Sequence, residues 1–272
     1  MGNLLRVELF KVIRGKVFWV LTGIITIVSF AVVFLFFLNE KGILEKMDGL
    51  DISVEVHPEV TDIVPASGIT FFIEQIHAPD VFLTILLISV LGAFIIATEN
   101  ATGVIKNTVS IGYRRMEVYL AKIIVYSFSS IGLILIFPVI LGVWGSLFFG
   151  IGDWPAPKLL VQTGKIALLT CVYVIAFSSI VMLFAMMANS SGIAFIISLG
   201  FYLLLGPVLN LLAYQYVLFE KINHYSIYNR FSLLSMSDLT VKDVLELGAL
   251  PVVTAVIFII IGIAIFKKKD IQ

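Results

Sequence analysis

Residues 166–219 read IALLTCVYVIAFSSIVMLFAMMANSSGIAFIISLGFYLLLGPVLNLLAYQYVLF, a run of 54 positions without a single Asp, Glu, Lys or Arg. A helix that crosses a membrane needs about 20 apolar residues, so this run is too long for one crossing and long enough for two. The polar residues from Asn189 to Gly192 divide it. The sequence therefore predicts two membrane helices, about 166–188 and 193–214, joined as a tight hairpin.

The rest of the chain is similarly apolar. Of its 272 residues, 60% are hydrophobic and 13% are charged, and the mean hydropathy is +1.09. Soluble domains stay near half apolar, which excludes that class. Four further runs, about 17–38, 81–98, 119–149 and 247–266, complete a pattern of six spans. The first run exceeds the core of a cleavable signal peptide and is expected to be retained. We predict an all-α integral membrane protein with six transmembrane helices.

The segments between the spans differ in charge. If both termini and the segment 99–118 share one side, that side holds eleven Lys and Arg against four acidic residues, and the other side holds seven against fourteen. The positive-inside rule then places both termini and 99–118 in the cytoplasm. Residues 39–80 become an external acidic loop, in which the alternation over 52–56 suggests a short strand. Within the external segment before the last span, Thr240 and Asp243 have the spacing of a helix cap.

Residues 1–16 are predicted to form an interfacial helix. Leu5, Leu9, Val12 and Ile13 share one arc of a helical wheel, beside an excess of basic residues. The alternative is a basic flank that only fixes orientation.

The long polar segment on the basic side, Glu99 to Lys122, has its own pattern. Thr102 can cap a short helix that Gly112 ends. One side of that helix would carry Val104, Ile105, Thr108 and Val109. A second helix then begins at Tyr113, Arg114 and Arg115 and enters the membrane at Lys122.

The sequence lacks the residues that ATP binding, ion-coupled transport and metal catalysis require. No GxxxxGK[ST] motif occurs, so the chain has no P-loop for ATP. The six apolar cores are expected to hold no ionisable residue, which argues against an ion-coupled carrier, although Asn210 near the Gly206-Pro207 pair could serve a helix-discontinuity site. His57, His77 and His224 fall in external segments without an HExxH pattern and are expected to be solvated. Cys171 is single. We predict no catalytic, metal or cofactor site.

The segment 99–122 resembles a motif of the permeases of type-2 ABC exporters: an acidic residue, Gly-x-Ile-Lys-Asn, a Ser, paired arginines and a Lys at the next span. Those residues are Glu99, Gly103, Ile105, Lys106, Asn107, Ser110, Arg114, Arg115 and Lys122. The six spans, the basic start and the large first external loop are also similar. The nearest subgroup is the small permeases of bacitracin-type and lantibiotic-type resistance or immunity. The Pro-rich signature of the larger branch before the last span is not reproduced by Pro251.

The resemblance implies a single permease domain over 1–272 in the bacterial plasma membrane. Two such permeases, identical or paralogous, would form the pathway, and a cytoplasmic ABC ATPase dimer would bind ATP and Mg²⁺. No nucleic acid is expected as a partner. The residues implied in coupling to the ATPase are Glu99, Gly103, Val104, Ile105, Lys106, Val109, Arg114 and Arg115. For Arg115 and Lys122, plain orientation anchoring is the alternative.

The cargo and two other classes stay open. An acidic external loop favours cationic amphipathic peptides, or reflects only that outward segments are poor in Lys and Arg. The chain could instead be a non-transporting anchor or sensor for an ATPase. A membrane-embedded enzyme is the third class, and the sequence offers it no paired carboxylates.

Overall fold

The computed structural model describes residues 1–41, 66–104, 110, 112–235 and 239–268, and every regular element in those ranges is helical. The α-helices are α1 (Gly2–Arg14), α2 (Lys16–Glu40), α3 (Gly68–His77), α4 (Val81–Gly92), α5 (Thr98–Ala101), α6 (Arg115–Phe149), α7 (Pro157–Met187), α8 (Ser191–Gln215), α9 (Val217–His224), α10 (Ile227–Ser232) and α11 (Val241–Lys268). A π-helical segment, Ala93–Ala97, joins α4 to α5, and a 3₁₀ turn, Leu233–Ser235, follows α10. The predicted all-α class is confirmed, whereas the suggested strand over 52–56 lies outside the described residues.

Five helices, α2, α6, α7, α8 and α11, are long and apolar enough to cross a membrane. They correspond to five of the six predicted spans and extend beyond most of the predicted ends. The largest differences are at α7, which begins nine residues before the predicted 166, and α11, which begins six before 247. Charged residues in the first turns of these two helices, up to Lys165 in α7 and Glu246 in α11, limit the apolar runs without ending the helices.

The remaining predicted span, 81–98, is one arm of a bent pair. The stretch Val81–Ala97 follows α3 with a bend of 81°, and the two together also pass the length and hydropathy test. Pro79 cannot continue a helix ladder, and the Asp80 carboxylate accepts a hydrogen bond from the Leu83 amide at 2.8 Å, which starts α4 afresh. Residues 68–77 were expected in the polar external loop. They instead form a helix because one side of it, including Ile73 and Ile76, is apolar and buried.

Glycines allow α3 to pack closely on the last turns of α6. A Cβ at Gly68 would lie 2.6 Å from the Gly142 carbonyl oxygen, and one at Gly145 would lie 2.6 Å from the Phe71 ring. The Gly68 amide donates to the Gly150 carbonyl at 2.9 Å, so the start of α3 is tied to the end of α6. Helix α3 therefore runs back along α6.

Helix α7 lies at the centre of the bundle. Its apolar window is 72% buried, against 22% for α2, α8 and α11. Tyr173 and Phe177 on α7 pack against Phe231, with ring centroids 5.3 and 5.5 Å away, and Tyr202 of α8 meets Phe177 at 5.4 Å. This aromatic core joins α7, α8 and α10.

The helices define two ends of the molecule. At one end, which we call the N-terminal end, α1 lies beside the start of α6, and the Arg115 guanidinium donates to the Lys267 carbonyl at 3.0 Å. The opposite end holds the start of α3, the end of α6 and the starts of α7 and α11. Helices α7 and α11 run parallel, because Lys165 reaches the Leu239 carbonyl and Tyr173 the Leu247 carbonyl. Residue 1, segment 99–104 and Lys268 thus lie at one end of the helix bundle.

Candidate functional site

Four charged side chains form a compact cluster at the N-terminal end, which we call the charge cluster: Glu8, Lys11, Glu99 and Lys122. The Lys122 ammonium lies 3.0 Å from each carboxylate oxygen of Glu8 and also donates to Glu99. Lys11 closes the ring, at 3.2 Å from Glu8 and 2.9 Å from Glu99. Two anions and two cations are thus held together by three separate segments of the chain.

The cluster is largely removed from solvent. Glu8 is 3% exposed and Lys122 is 4% exposed, while Lys11 and Glu99 lie at the rim. Buried charges are costly unless they are paired, and here the formal charges sum to zero. The prediction that the apolar spans hold no ionisable residue is therefore too simple: Lys122 lies inside the span predicted to begin at residue 119.

Helix α1 supplies Glu8 from an unexpected face. The structure buries Leu4, Glu8 and Val12, which recur every four residues, and leaves Leu9 and Ile13 exposed. The predicted apolar arc therefore does not face one environment. Hydrophobic periodicity treats a carboxylate as a solvent-facing group, whereas pairing with Lys122 makes its burial tolerable. The exposed apolar residues still suit an interfacial helix.

The backbone before Glu99 departs from the α-helix. Residues Ala93–Ala97 are π-helical, and such a segment inserts an extra residue that changes which side the following turn presents. The following turn, α5, contains Glu99 and places its carboxylate against Lys122 of α6. The Thr102 hydroxyl then donates back to the Thr98 carbonyl at 2.8 Å, which closes the turn. No simple sequence signal marks a π segment, so its presence was not predicted.

Close packing fixes α4 beside the cluster. The Tyr126 hydroxyl of α6 donates to the Ile88 carbonyl at 2.7 Å. A Cβ at Gly92 would lie 2.6 Å from that hydroxyl oxygen and 2.7 Å from a Val181 methyl. Only glycine leaves room for this approach of α4 to α6 and α7.

The pKa values of the two rim groups favour the charged state. Burial alone would raise the pKa of the Glu99 carboxyl, but Lys122 and Lys11 outweigh it and hold that pKa below its ordinary value. Burial alone would lower the pKa of the Lys11 ammonium, but Glu99 and Glu8 outweigh it and raise that pKa. Both groups therefore stay ionised near neutral pH. The arrangement suits a mechanical tie and not proton transfer.

The predicted coupling residues between 99 and 109 fall into three groups. Glu99 belongs to the charge cluster. Gly103 has a left-handed backbone with φ of +72°, and Val104 next to it is helical. Ile105, Lys106 and Val109 lie outside the described residues. Past them, Gly112 has a left-handed backbone with φ of +106°.

The arginine pair marks the start of α6, as predicted. Arg114 is the N-cap residue and is exposed, whereas Arg115 begins the helix and contacts the carbonyl of Lys267. The structure thus brings Glu99 together with Lys122, and Arg115 with the end of α11. Glu8 and Lys11 are the cluster members that sequence reasoning missed. A lone acidic residue in a basic amphipathic helix was the available signal.

The alternative helix-discontinuity site around Asn210 is not formed. Helix α8 runs from Ser191 to Gln215 with Pro207 inside it. The Asn210 side-chain oxygen accepts from Asn223 at 2.6 Å, and Asn223 in turn accepts from Asn229 at 2.6 Å. Asn210 therefore ties α8 to the segment that follows.

At the opposite end, the structure bears on the predictions for His77 and for the cap of α11. The expected solvated state of His77 is wrong, because its ring is half-buried and its Nε2 lies 2.9 Å from the Thr163 hydroxyl. The helix cap at the start of α11 is confirmed. The Thr240 amide donates to the Asp243 carboxylate at 2.8 Å, and the Asp243 amide donates to the Thr240 hydroxyl at 3.3 Å.

Comparison with known proteins gives one family. Residues 30–272 match the family described as "Protein of unknown function (DUF2705)". A comparison with curated protein sequences gives no match.

Proposed function

The chain belongs to the DUF2705 family, and because the description of that family names no activity, we propose a function from the charge cluster and the helices it joins. The chain is the membrane permease subunit of a type-2 ABC exporter. In this proposal the chain crosses the membrane six times, with α3 and α4 as one bent crossing, and both termini and residues 99–118 lie in the cytoplasm of a bacterial cell. A second copy or paralogue completes the pathway.

The observation that carries this proposal is the connection of the 99–104 segment to two other helices. Glu99 lies four residues before Gly103, where the predicted coupling helix begins. Through Lys122 and Lys11 it is tied to α6 and α1. Breaking a buried ion pair by removing one partner costs about 3–5 kcal/mol. A force applied to the segment after Glu99 is therefore delivered to α1, α5 and α6 together.

A separate ATPase dimer would supply that force. It would bind ATP and Mg²⁺ and press on residues 103–109, with Val104, Ile105 and Val109 in an apolar groove of its surface. Lys106 and Arg114 would meet acidic residues at the rim of that groove. Arg115 would also connect helices, because its contact with the Lys267 carbonyl ties the start of α6 to the end of α11.

The proposed cargo is an amphipathic peptide or a hydrophobic antimicrobial moved out of the cytoplasm or the membrane. An apolar groove of about 280 Å³ at the opposite end supports an apolar cargo. It lies between α3, α6 and α7, with Phe72, Val143, Trp154 and Leu160 in its walls. The acidic residues of 39–80 favour a cationic cargo.

Affinity purification of the full chain from membranes of its own host tests the proposal. We expect an ATPase with a P-loop to co-purify in stoichiometric amount, and to be lost when Val104 and Ile105 are both replaced by Asp. A matched control replaces Leu218 and Ile222, exposed apolar residues of α9 at the opposite end, by Asp. Both variants should insert in the membrane in normal amount.

Recovery of the ATPase in these purifications decides whether the chain is an ABC permease. Recovery of the ATPase with the wild type and the control, but not with V104D/I105D, supports the assignment. Equal recovery with all three, or no ATPase with the wild type, contradicts it. Substrate-stimulated ATP hydrolysis by the purified complex then distinguishes transport from a role as anchor or sensor.

A further inference from the structure

Helix α1 has an exposed side at the N-terminal end of the molecule. Its Glu8 side packs on the bundle, and on a helical wheel the opposite side carries Leu9, Phe10 and Ile13. These three apolar side chains are between 46% and 58% exposed. Apolar residues that adjoin on one exposed face indicate a surface that another molecule covers.

The exposed side of α1 adjoins the outer surface of the membrane helix α2. Only Gly15, in an extended conformation with ψ of 133°, separates the two helices. The Trp19 indole Nε1 donates to the Ile13 carbonyl at 2.7 Å, so the first turn of α2 lies against the last turn of α1. Trp19, Val20 and Ile24 are between 49% and 59% exposed on a helix that is long and apolar enough to cross a membrane. Lipid that covers α2 therefore reaches α1, and tryptophan is typical of the depth where hydrocarbon meets headgroups.

The exposed side of α1 and the residue after it are also cationic. Arg6, Arg14 and Lys16 are all exposed. Glu8 is the single acidic residue in positions 1–39, and its carboxylate is buried in the charge cluster. The Arg14 guanidinium lies over the Phe10 ring, 4.9 Å from its centroid, so positive charge and apolar surface adjoin. This combination is typical of helices that lie on an anionic membrane surface.

We propose that the exposed side of α1 binds anionic phospholipids of the leaflet at the N-terminal end. The apolar residues pack against the acyl chains near the headgroups, and Arg6, Arg14 and Lys16 contact the headgroup phosphates. A soluble protein would have to displace the lipid around Trp19 to reach this surface, which favours the bilayer as its partner. The inference needs only that the chain is a membrane protein, so it holds or fails independently of the ABC proposal.

Native mass spectrometry of the full chain in detergent tests the lipid preference. The probes are dioleoylphosphatidylglycerol and dioleoylphosphatidylcholine, which share their acyl chains and differ in net charge. The test variant is R6Q/R14Q, and the control K221Q/K242Q removes the same charge from exposed lysines at the opposite end. Each cation near an anionic lipid surface contributes about fivefold in affinity, so we expect R6Q/R14Q to lower the preference for phosphatidylglycerol on the order of 20-fold. The control should change that preference little.

The variants separate charge from folding. The variant R6K/R14K keeps both charges and should bind phosphatidylglycerol like the wild type. Equal preference for phosphatidylglycerol in R6Q/R14Q and K221Q/K242Q overturns the proposal. Loss of the preference in R6K/R14K overturns it as well, because the proposed binding depends on charge and not on the arginine side chain.

The position of α1 is tested in lipid nanodiscs that contain phosphatidylglycerol and no ATPase. A nitroxide is attached to the full chain at Leu9→Cys in a Cys171→Ala background. We expect oxygen, which concentrates in lipid, to relax this label more than a water-soluble nickel chelate does, and R6Q/R14Q to shift the balance toward the chelate. A label that the chelate relaxes more than oxygen without R6Q/R14Q would show a surface open to a soluble protein, and would overturn the proposal.

Discussion

Removing Lys122 tests whether the charge cluster holds the N-terminal end together. Its ammonium lies 3.0 Å from both Glu8 oxygens and also contacts Glu99. At an effective dielectric constant of about 20, a pair at this separation gains roughly 5 kcal/mol of Coulomb energy, part of which offsets desolvation. Lys122→Met leaves Glu8 buried without this cation, so we expect a loss of about 3–5 kcal/mol in the free energy of unfolding.

A double-mutant cycle separates pairing from packing. Glu8→Gln should cost about as much as Lys122→Met, because it removes the buried anion that contacts Lys122 through both carboxylate oxygens. The double variant E8Q/K122M keeps the Lys11–Glu99 pair at 2.9 Å and restores a net charge of zero. We therefore expect its loss to be smaller than the sum of the two single losses, by about 2 kcal/mol or more.

The free energies are measured by reversible unfolding of the full chain in mixed micelles. Glu220→Gln is the control, because Glu220 is an exposed residue of α9 at the opposite end. Removing one solvent-screened charge should change the free energy of unfolding by about 1 kcal/mol or less. Single losses no larger than that of the control, or additive losses in the cycle, would refute the account of the cluster.

Three further predictions follow from the same end of the molecule. Glu99→Gln should destabilise the protein at neutral pH but not in acid. The pKa of Glu99 is lower in the folded state than in the unfolded state, where it is near 4.5. The charged carboxylate therefore contributes stability above pH 4.5, and this stability is lost as the pH falls through the folded pKa. Melting temperatures of the variant and wild type should thus converge below pH 4.5, and a constant difference would contradict the prediction. Gly92→Ala should cost about 1–3 kcal/mol by overpacking against Tyr126 and Val181, whereas Gly164→Ala, with no atom within 4 Å of the new Cβ, should be neutral or stabilising in thermal unfolding. In a Cys171→Ala background, a cysteine at Asn107 should react with an impermeant maleimide only after the cells are opened, and labelling of intact cells would place residues 99–118 outside.

The sequence was sufficient to predict the five long membrane helices and several of their ends. The predicted end of the third span at 149 and the start of α6 at Arg115 agree with the structure. Apolar runs and helix caps are local signals, so they can be detected without knowing what packs against them. The same reasoning missed α3, because Glu74 and Asp80 made 68–80 look like part of the external loop. What decides that segment is its glycine contact with α6, which is remote in sequence.

The charge cluster was only half predictable for a related reason. Glu99 and Lys122 were identified as residues of the motif in 99–122, but their partners on α1 were not. Glu8 and Lys122 are 114 positions apart, and a residue's charge says nothing about which distant charge it meets. Periodicity analysis assumes that charged side chains face water, and an ion pair with zero net charge is the exception to that assumption.

Two breaks in regular α-helix, one on each side of α4, suggest which helices would move in the proposed coupling. The helix is bounded by the bend at 78–80 and by the π segment Ala93–Ala97, while α6 beside it is a single helix of 35 residues. A displacement of the segment after Glu99 reaches α6 through Lys122, and along the chain it reaches α4 through the π segment. Bends and π segments are where helices deform most readily. Under the proposed function, α6 therefore moves with the cytoplasmic segment, and α4 changes its angle to α3, whose first turns line the apolar groove.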